Sequence, residues 1–184
     1  MDIDIHKLRR RPFFLPLFMP IVLLAVVVLS AIWLLDARNT TVFILVRHAE
    51  VEQSLVANAG LNEAGKNRAK KLLDFLDQLK PERSVDAVYA IESVPAQETA
   101  APLAAKMGLA VNVLSLGGSN SRLSDIRDHH TGEVVLVVAS REKLKELISE
   151  VSSQDWSLND EDYTSIFVVN HSRLSKTSVV RFKY

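Results

Sequence analysis

The chain has 184 residues, room for one domain and a short appendage, and an apolar content of 48% is ample for a packed core. Its 22 basic and 22 acidic side chains cancel, so no cationic excess exists to release counterions from a phosphate backbone, and nucleic acid is excluded as a partner held by bulk electrostatics. The absence of cysteine excludes disulfides, thiolate metal sites and thiol nucleophiles, and leaves oxidising and reducing compartments both open.

Residues 1–12 form a basic tail with Lys7, Arg9, Arg10 and Arg11, and residues 13–35 follow without a charged side chain. At about 1.5 Å per residue these positions reach about 35 Å as a helix, enough for a hydrocarbon core of roughly 30 Å. Pro12, Pro16 and Pro20 delay the regular helix, yet Ile21 to Leu35 stays uninterrupted. A cleaved signal peptide is the alternative; the long apolar run, with Trp33, Leu34 and Leu35 where a small-x-small cleavage site is needed, favours an uncleaved anchor. The positive-inside rule keeps the tail in the cytoplasm, so the expectation is a single-pass inner-membrane protein with its domain in the periplasm. Residues 36–40 are a short linker before the domain of residues 41–184, and residues 36–184, with 18 basic and 20 acidic side chains, are nearly neutral.

Within that domain Thr41 to Val46 reads as a strand, followed by a polar loop to Gly60. Asn62 is a fair N-cap for a helix in which Ala69, Leu72, Leu73, Leu76 and Leu79 fall at helical spacing, and Pro81 stops it. Residues 85–91 form a buried strand, and residues 95–108 a helix closed by Gly108. Ala110 to Leu114 is a short strand and SRLSDIRDHH a weak helix; residues 133–139 are the central strand, with REKLKELISEV as its crossover helix. Two further strands, SIFVVN and TSVVRFKY, flank a turn at residues 171–176. Strands alternating with helices predict an α/β fold, a largely parallel sheet with helices on both faces, preceded by one transmembrane helix.

In VFILVRHAEVE, residues 42–52, an apolar run ends abruptly in Arg47, His48 and Glu50. A cation, an imidazole and a carboxylate at the carboxyl end of a strand are how such a sheet builds a site, and an anion is the ligand it suits. Glu50 reads as an orienting partner for Arg47 or a loop charge.

LVRHAE, LNEAGKNRA, VYAIESVPAQETAAPLA, VVLVVAS and DYTSIFVV, in this order and spacing over about residues 41–184, resemble the histidine phosphatase superfamily, the phosphoglycerate-mutase-like fold, and in particular its small membrane-anchored or secreted bacterial members. The resemblance implies phosphomonoester hydrolysis: His48 takes the phosphoryl group and Arg47 clamps its oxygens. A neutral imidazole is a competent nucleophile near pH 7, and the transferring group needs fixed positive charge around its equatorial oxygens. The family's second arginine and second histidine are absent. Val94 or Pro95 occupies the place of the first, and Ala139 and Ser140 that of the G-H pair.

Four residues therefore make up the candidate site: His48 and Arg47 as nucleophile and clamp, Ser140 as a neutral phosphate contact, and Glu92 as proton donor to the leaving group, against its reading as an exposed loop carboxylate. Arg141 reads as a solvated first-turn residue, His129 and His130 as a polar turn, and His171 as surface. No metal or cofactor is implied. A phosphorylated small molecule or protein is the expected substrate. Removing one preorganised donor costs about 10² to 10³ in rate, so weak or lost activity is the direct expectation. A non-catalytic membrane-anchored periplasmic binding or interaction module on the same fold is the alternative; a side chain such as Arg122 or Leu123 filling the site would favour it.

Overall fold

The computed structural model describes residues 15–38, 40–53, 58–78, 84–115, 123–152, 156, 159, 162–171 and 177–184. Two units make up the chain, Met1–Arg38 and Asn39–Tyr184.

The first unit contains α1 (Leu15–Arg38), a 24-residue helix. It begins earlier than its prolines suggest. Pro16 falls in the first turn, where a missing N–H costs nothing, and Pro20 removes one intrahelical hydrogen bond that the remaining apolar turns tolerate. Asp36, Ala37 and Arg38, expected in a linker, continue the helix. Large apolar side chains from Phe18 to Leu34 are exposed within the chain, among them Met19, Leu23, Leu29 and Trp33. Side chains are described here for residues 18–34 only, and among the described residues no helix is long and apolar enough to cross a membrane. The basic tail, residues 1–12, lies outside the described residues.

The second unit is built on six strands, β1 (Thr41–Arg47), β2 (Ala87–Ile91), β3 (Val111–Leu114), β4 (Val134–Ala139), β5 (Ser165–His171) and β6 (Ser178–Lys183). They form one sheet in the order β3-β2-β4-β1-β5-β6. Its first four strands are parallel; β5 runs antiparallel to β1, and β6 to β5. The largely parallel sheet expected from the strand–helix alternation is therefore a mixed one. β5 and β6 follow each other without an intervening helix, and a short connection can only return the chain antiparallel.

Helices α2 (Glu63–Gln78), α3 (Val94–Met107), α4 (Leu123–His129) and α5 (Arg141–Val151) flank the sheet. Local chemistry sets ends of α2 and α3. Asn62 Oδ1 accepts from the amide of Gly65 at 2.8 Å and caps α2, as its sequence predicts. Asn58, in the left-handed region at φ 65°, turns its Oδ1 to the amide of Val94 at 2.9 Å and caps α3 from a distant loop. Gly108, at φ 68°, ends α3 with its amide directed at the carbonyls of Ala104 and Ala105. Every residue of β4 is buried, and Phe43, Leu45, Val88, Leu136, Leu144 and Phe167 lie in the core around it. β4 and β1 thus carry the core on both sides, and their carboxyl ends face the candidate site.

Candidate active site

The ladder of β1 and β4 runs to the pair Arg47 and Ala139, and the amide of His48 extends it by one more bond, to Ala139 O at 2.9 Å. Ser140 follows directly on β4. In the register of β2 with β4, Ala90 faces Val138, so Glu92 falls at the same edge beyond β2. Arg47, His48 and Ser140 therefore meet at adjacent strand ends. Glu92 lies beyond the end of β2, which β4 separates from β1.

The loop that carries His48 is fastened by backbone contacts. The amide of Ala49 donates to Thr99 Oγ1 at 3.0 Å, and Thr99 in turn donates to Pro95 O at 2.7 Å. The carbonyl of Glu50 accepts from the amide of Asn62 at 3.1 Å and lies directly over Gly65, where a Cβ would come within 2.2 Å of it. Glu98 accepts from the amide of Leu61 at 2.6 Å. The helix motifs LNEAG and QETA thus supply the bracket on which the His48 loop is mounted.

His48 is partly buried. Its Nδ1 sits 2.9 Å from Ala49 O, a contact that requires Nδ1 to carry the proton, and no hydrogen-bond partner of Nε2 is found among the described residues. Burial lowers the His48 pKa, and Arg47 lowers it further, against the opposing pull of the Ala49 carbonyl and Glu142. A neutral ring with its lone pair on Nε2 results, the form that attacks phosphorus.

Glu50 is not the partner that orients Arg47. Both its oxygens accept from Arg68 Nε, at 2.7 and 2.8 Å, and Arg68 Nη2 adds an ion pair to Oε1. Burial pushes the Glu50 carboxyl up, but the hydrogen bonds and charge of Arg68 outweigh it and hold the group below its ordinary range. Arg47 instead lies over the ring of Tyr163, its Cζ 4.0 Å from the ring centroid.

Ser140 is the N-cap of α5, and its Oγ accepts from the amide of Lys143 at 3.3 Å. A residue that follows it, Glu142, brings a carboxylate near enough to His48 to affect its titration. Hydrogen bonding from its own backbone amide, then from Arg141 and Ser140, holds the Glu142 carboxyl low and so charged. Arg141 Nε lies 3.1 Å from that carboxylate, so the first-turn reading of Arg141 becomes that of a neighbour to Glu142. Glu92 is exposed, and its Oε2 accepts from Ser115 Oγ at 3.2 Å, on the β3 side away from β1. Leu123 is fully buried in the core, whereas Arg122 lies outside the described residues.

Two histidines differ from their sequence readings. His130, expected in a solvated turn, is partly buried, with Nε2 at 2.7 Å from Tyr89 Oη and Nδ1 at 2.7 Å from Glu133 Oε2. His171, expected at the surface, packs against Phe43, with Nε2 at 2.9 Å from Arg127 Nη1 and Nδ1 at 2.8 Å from Thr177 Oγ1. Both lie where β1 and β4 begin, at the opposite end of those strands from His48.

Tyr163, Arg68 and Glu142 were not singled out by sequence. The signal for Tyr163 is topological: an antiparallel β5 pairing Ile166 with Val46 delivers the residues before β5 to the end of β1. Only the direction of β5 reveals it.

Residues 43–115 match the family model of the histidine phosphatase superfamily (branch 1). Solved structures share the fold. The protein histidine phosphatase SixA, complexed with tungstate, aligns with a TM-score of 0.63 at 13% identity over 77% of this chain and 96% of its own. A phosphoserine phosphatase from Entamoeba histolytica, in complex with 3-phosphoglyceric acid, aligns at 0.60 and 14% identity over 78% of this chain and 97% of its own. A mycobacterial glucosyl-3-phosphoglycerate phosphatase complexed with VO3 aligns at 0.59 and 12% identity, covering 78% and 98%. No curated protein matches in sequence. The family model thus matches the segment that carries LVRHAE, LNEAG and QETA, and the solved structures share the fold of the domain.

Proposed function

We propose that the domain is a phosphoryl-transfer scaffold of the histidine phosphatase type, with His48 as nucleophile and a phosphomonoester as substrate, and with turnover weak or lost. The observation that carries this reading is the His48 ring, held by Nδ1 at Ala49 O and kept neutral by burial, so that Nε2 presents its lone pair. In the step we propose, Nε2 attacks phosphorus, the ester P–O bond breaks, and the leaving alkoxide takes a proton, with Glu92 as donor. Water then attacks phosphorus, gives a proton back to the Glu92 carboxylate and breaks the N–P bond, which returns His48 to its neutral form. Arg47 balances charge on the phosphoryl oxygens, and Ser140 adds a neutral hydrogen bond.

Turnover is weak in this reading because Val94 or Pro95, and Ser140, offer no positive charge, and the Glu142 carboxylate near His48 opposes a dianion. The same carboxylate, and a Ser140 hydroxyl already engaged as a helix cap, favour the second reading, a non-catalytic binding module on this scaffold. Two of the structurally similar phosphatases hold tungstate or VO3, so an oxyanion is the apt probe. Orthovanadate imitates the five-coordinate transition state, and its saturable stabilisation of the full-length chain in a thermal-shift titration, abolished by His48→Ala, is the expected result. No shift in either protein refutes the catalytic reading and leaves the binding module.

We also infer that α1 and the apolar residues around it anchor the chain in the inner membrane, with the domain in the periplasm. The exposed apolar side chains of α1 and the uncharged run of residues 13–35 support this. An anchored chain stays in the membrane pellet after alkaline carbonate extraction; release into the supernatant refutes the anchor.

A further inference from the structure

We propose that His171 is an acid-labile latch: its neutral ring ties the last turn of α4 to the β5–β6 hairpin, and one proton on Nε2 releases that turn. The inference stands apart from the reading of His48 as nucleophile. Arginine has N–H donors and no acceptor, so the contact of Arg127 Nη1 with His171 Nε2 at 2.9 Å requires a lone pair on that nitrogen. The other nitrogen then carries the proton, and Nδ1 donates to Thr177 Oγ1 at 2.8 Å. One neutral tautomer satisfies both contacts, whereas the imidazolium satisfies only the second.

His130 is built the other way. Its Nδ1 lies 2.7 Å from the Glu133 carboxylate, which accepts from the ring in either charge state, and its Nε2 lies 2.7 Å from Tyr89 Oη, a hydroxyl that can donate or accept. A second proton on His130 reverses the Tyr89 bond without breaking it. Of the two joints where β1 and β4 begin, acid therefore opens the one at His171 and spares the one at His130.

The surroundings of His171 set the direction of the response. Among the described residues the charged groups that face it are Arg127 and Asp128, both on α4; Phe43 and Thr41 of β1 and Thr177 ahead of β6 are neutral. Burial, then the Arg127 charge, lowers the His171 pKa against the pull of Asp128, so the latch holds above the folded-state value and opens as the pH falls through it. Release strands no charge. Arg127 also gives Nε and Nη2 to Asp128 Oδ1, at 3.1 and 2.9 Å, and keeps that pairing when Nη1 lets go. Leu123 and Ile126 are buried and hold the rest of α4 to the core, so the helix loosens at its last turn alone.

Imidazole 15N spectra of the full-length chain, with His171 assigned through bonds to its own backbone, test the latch without any variant. At pH about 7.5 a ring protonated on Nδ1 alone is expected, and on acidification Nε2 gains its proton while the domain stays folded. In urea unfolding, a double-mutant cycle of Arg127→Met and His171→Phe should show a coupling of about fivefold in the unfolding constant at that pH, lost below the His171 titration midpoint. The cycle of His130→Ala and Glu133→Ala should keep its coupling within about twofold over the same range. A His171 ring protonated on Nε2 at neutral pH, or one that stays neutral until the domain unfolds, overturns the proposal. So does an Arg127–His171 coupling that survives acid, or one lost together with the His130–Glu133 coupling. If a variant does not fold, the wild-type spectra still decide.

Discussion

The two ends of the central strands use histidine in opposite ways. Where β1 and β4 begin, His130 joins Tyr89 to Glu133, and His171 joins Arg127 to Thr177, each ring committing both nitrogens. Where those strands end, His48 commits only Nδ1. A ring bonded through both nitrogens is a fastener, whereas a ring bonded through one is oriented and still has a lone pair to react with. The fastening at the His48 side is done by backbone: the carbonyl of Glu50 over Gly65 and the amide of Ala49 on Thr99. Reactive and structural roles are thereby separated within one residue type.

The largest expected effect tests the backbone fastening. Gly65→Ala puts a methyl group 2.2 Å from the Glu50 carbonyl, a clash neither backbone can relieve without moving, and about 3 kcal/mol of stability should be lost in urea unfolding. A loss of under about 1 kcal/mol would mean that α2 is free to shift and that the bracket is not rigid.

Histidine deletions address the comparison directly. His130→Ala leaves the Tyr89 hydroxyl and the Glu133 carboxylate without their common partner and should cost about 1–2 kcal/mol. His48→Ala removes a single bond to a carbonyl and should cost under about 1 kcal/mol while abolishing any vanadate response. Equal costs would erase the distinction between fastener and reagent.

The smallest effect is in pH. Burial lowers the His48 pKa below its ordinary value of 6.5, and burial and the Arg127 charge do the same for His171. The unfolded chain then binds protons that the folded chain refuses, so stability is greatest above about pH 6.5 and falls as the pH drops through the lower folded-state values. His48→Gln should flatten part of this acid limb, measured as the urea midpoint between pH 7 and pH 5. An unchanged slope would locate the limb entirely in other groups.

Much of the fold was legible because β-strand and helix periods alternate cleanly: the buried run of β4, the Asn62 cap and the Gly108 stop all lie where local chemistry predicts them. The direction of β5 was not, since an isolated apolar hexamer such as SIFVVN carries no record of its neighbour. The site divides along the same line. Arg47 and His48 are adjacent in sequence and were found there, whereas Tyr163 and Arg68 reach the site through strand order and helix packing. Glu50 shows the limit most clearly: its carboxylate reads in the sequence as a partner of Arg47 or a loop charge, and it pairs with Arg68 on α2. Proximity along the chain is a poor guide to which of two cations a loop carboxylate will choose.

The order of strands in the sheet also bears on how the protein comes into being. β1 is the first strand of the domain in the chain, yet both its neighbours, β4 from Val134 and β5 from Ser165, come near the other end. During synthesis it must wait, apolar and with two open edges, until most of the domain has followed. Contacts so distant in sequence form slowly, and an unpaired apolar strand invites the wrong partner in the meantime. The segment that bears the reactive histidine is thus also the part of the nascent chain most in need of protection by a chaperone.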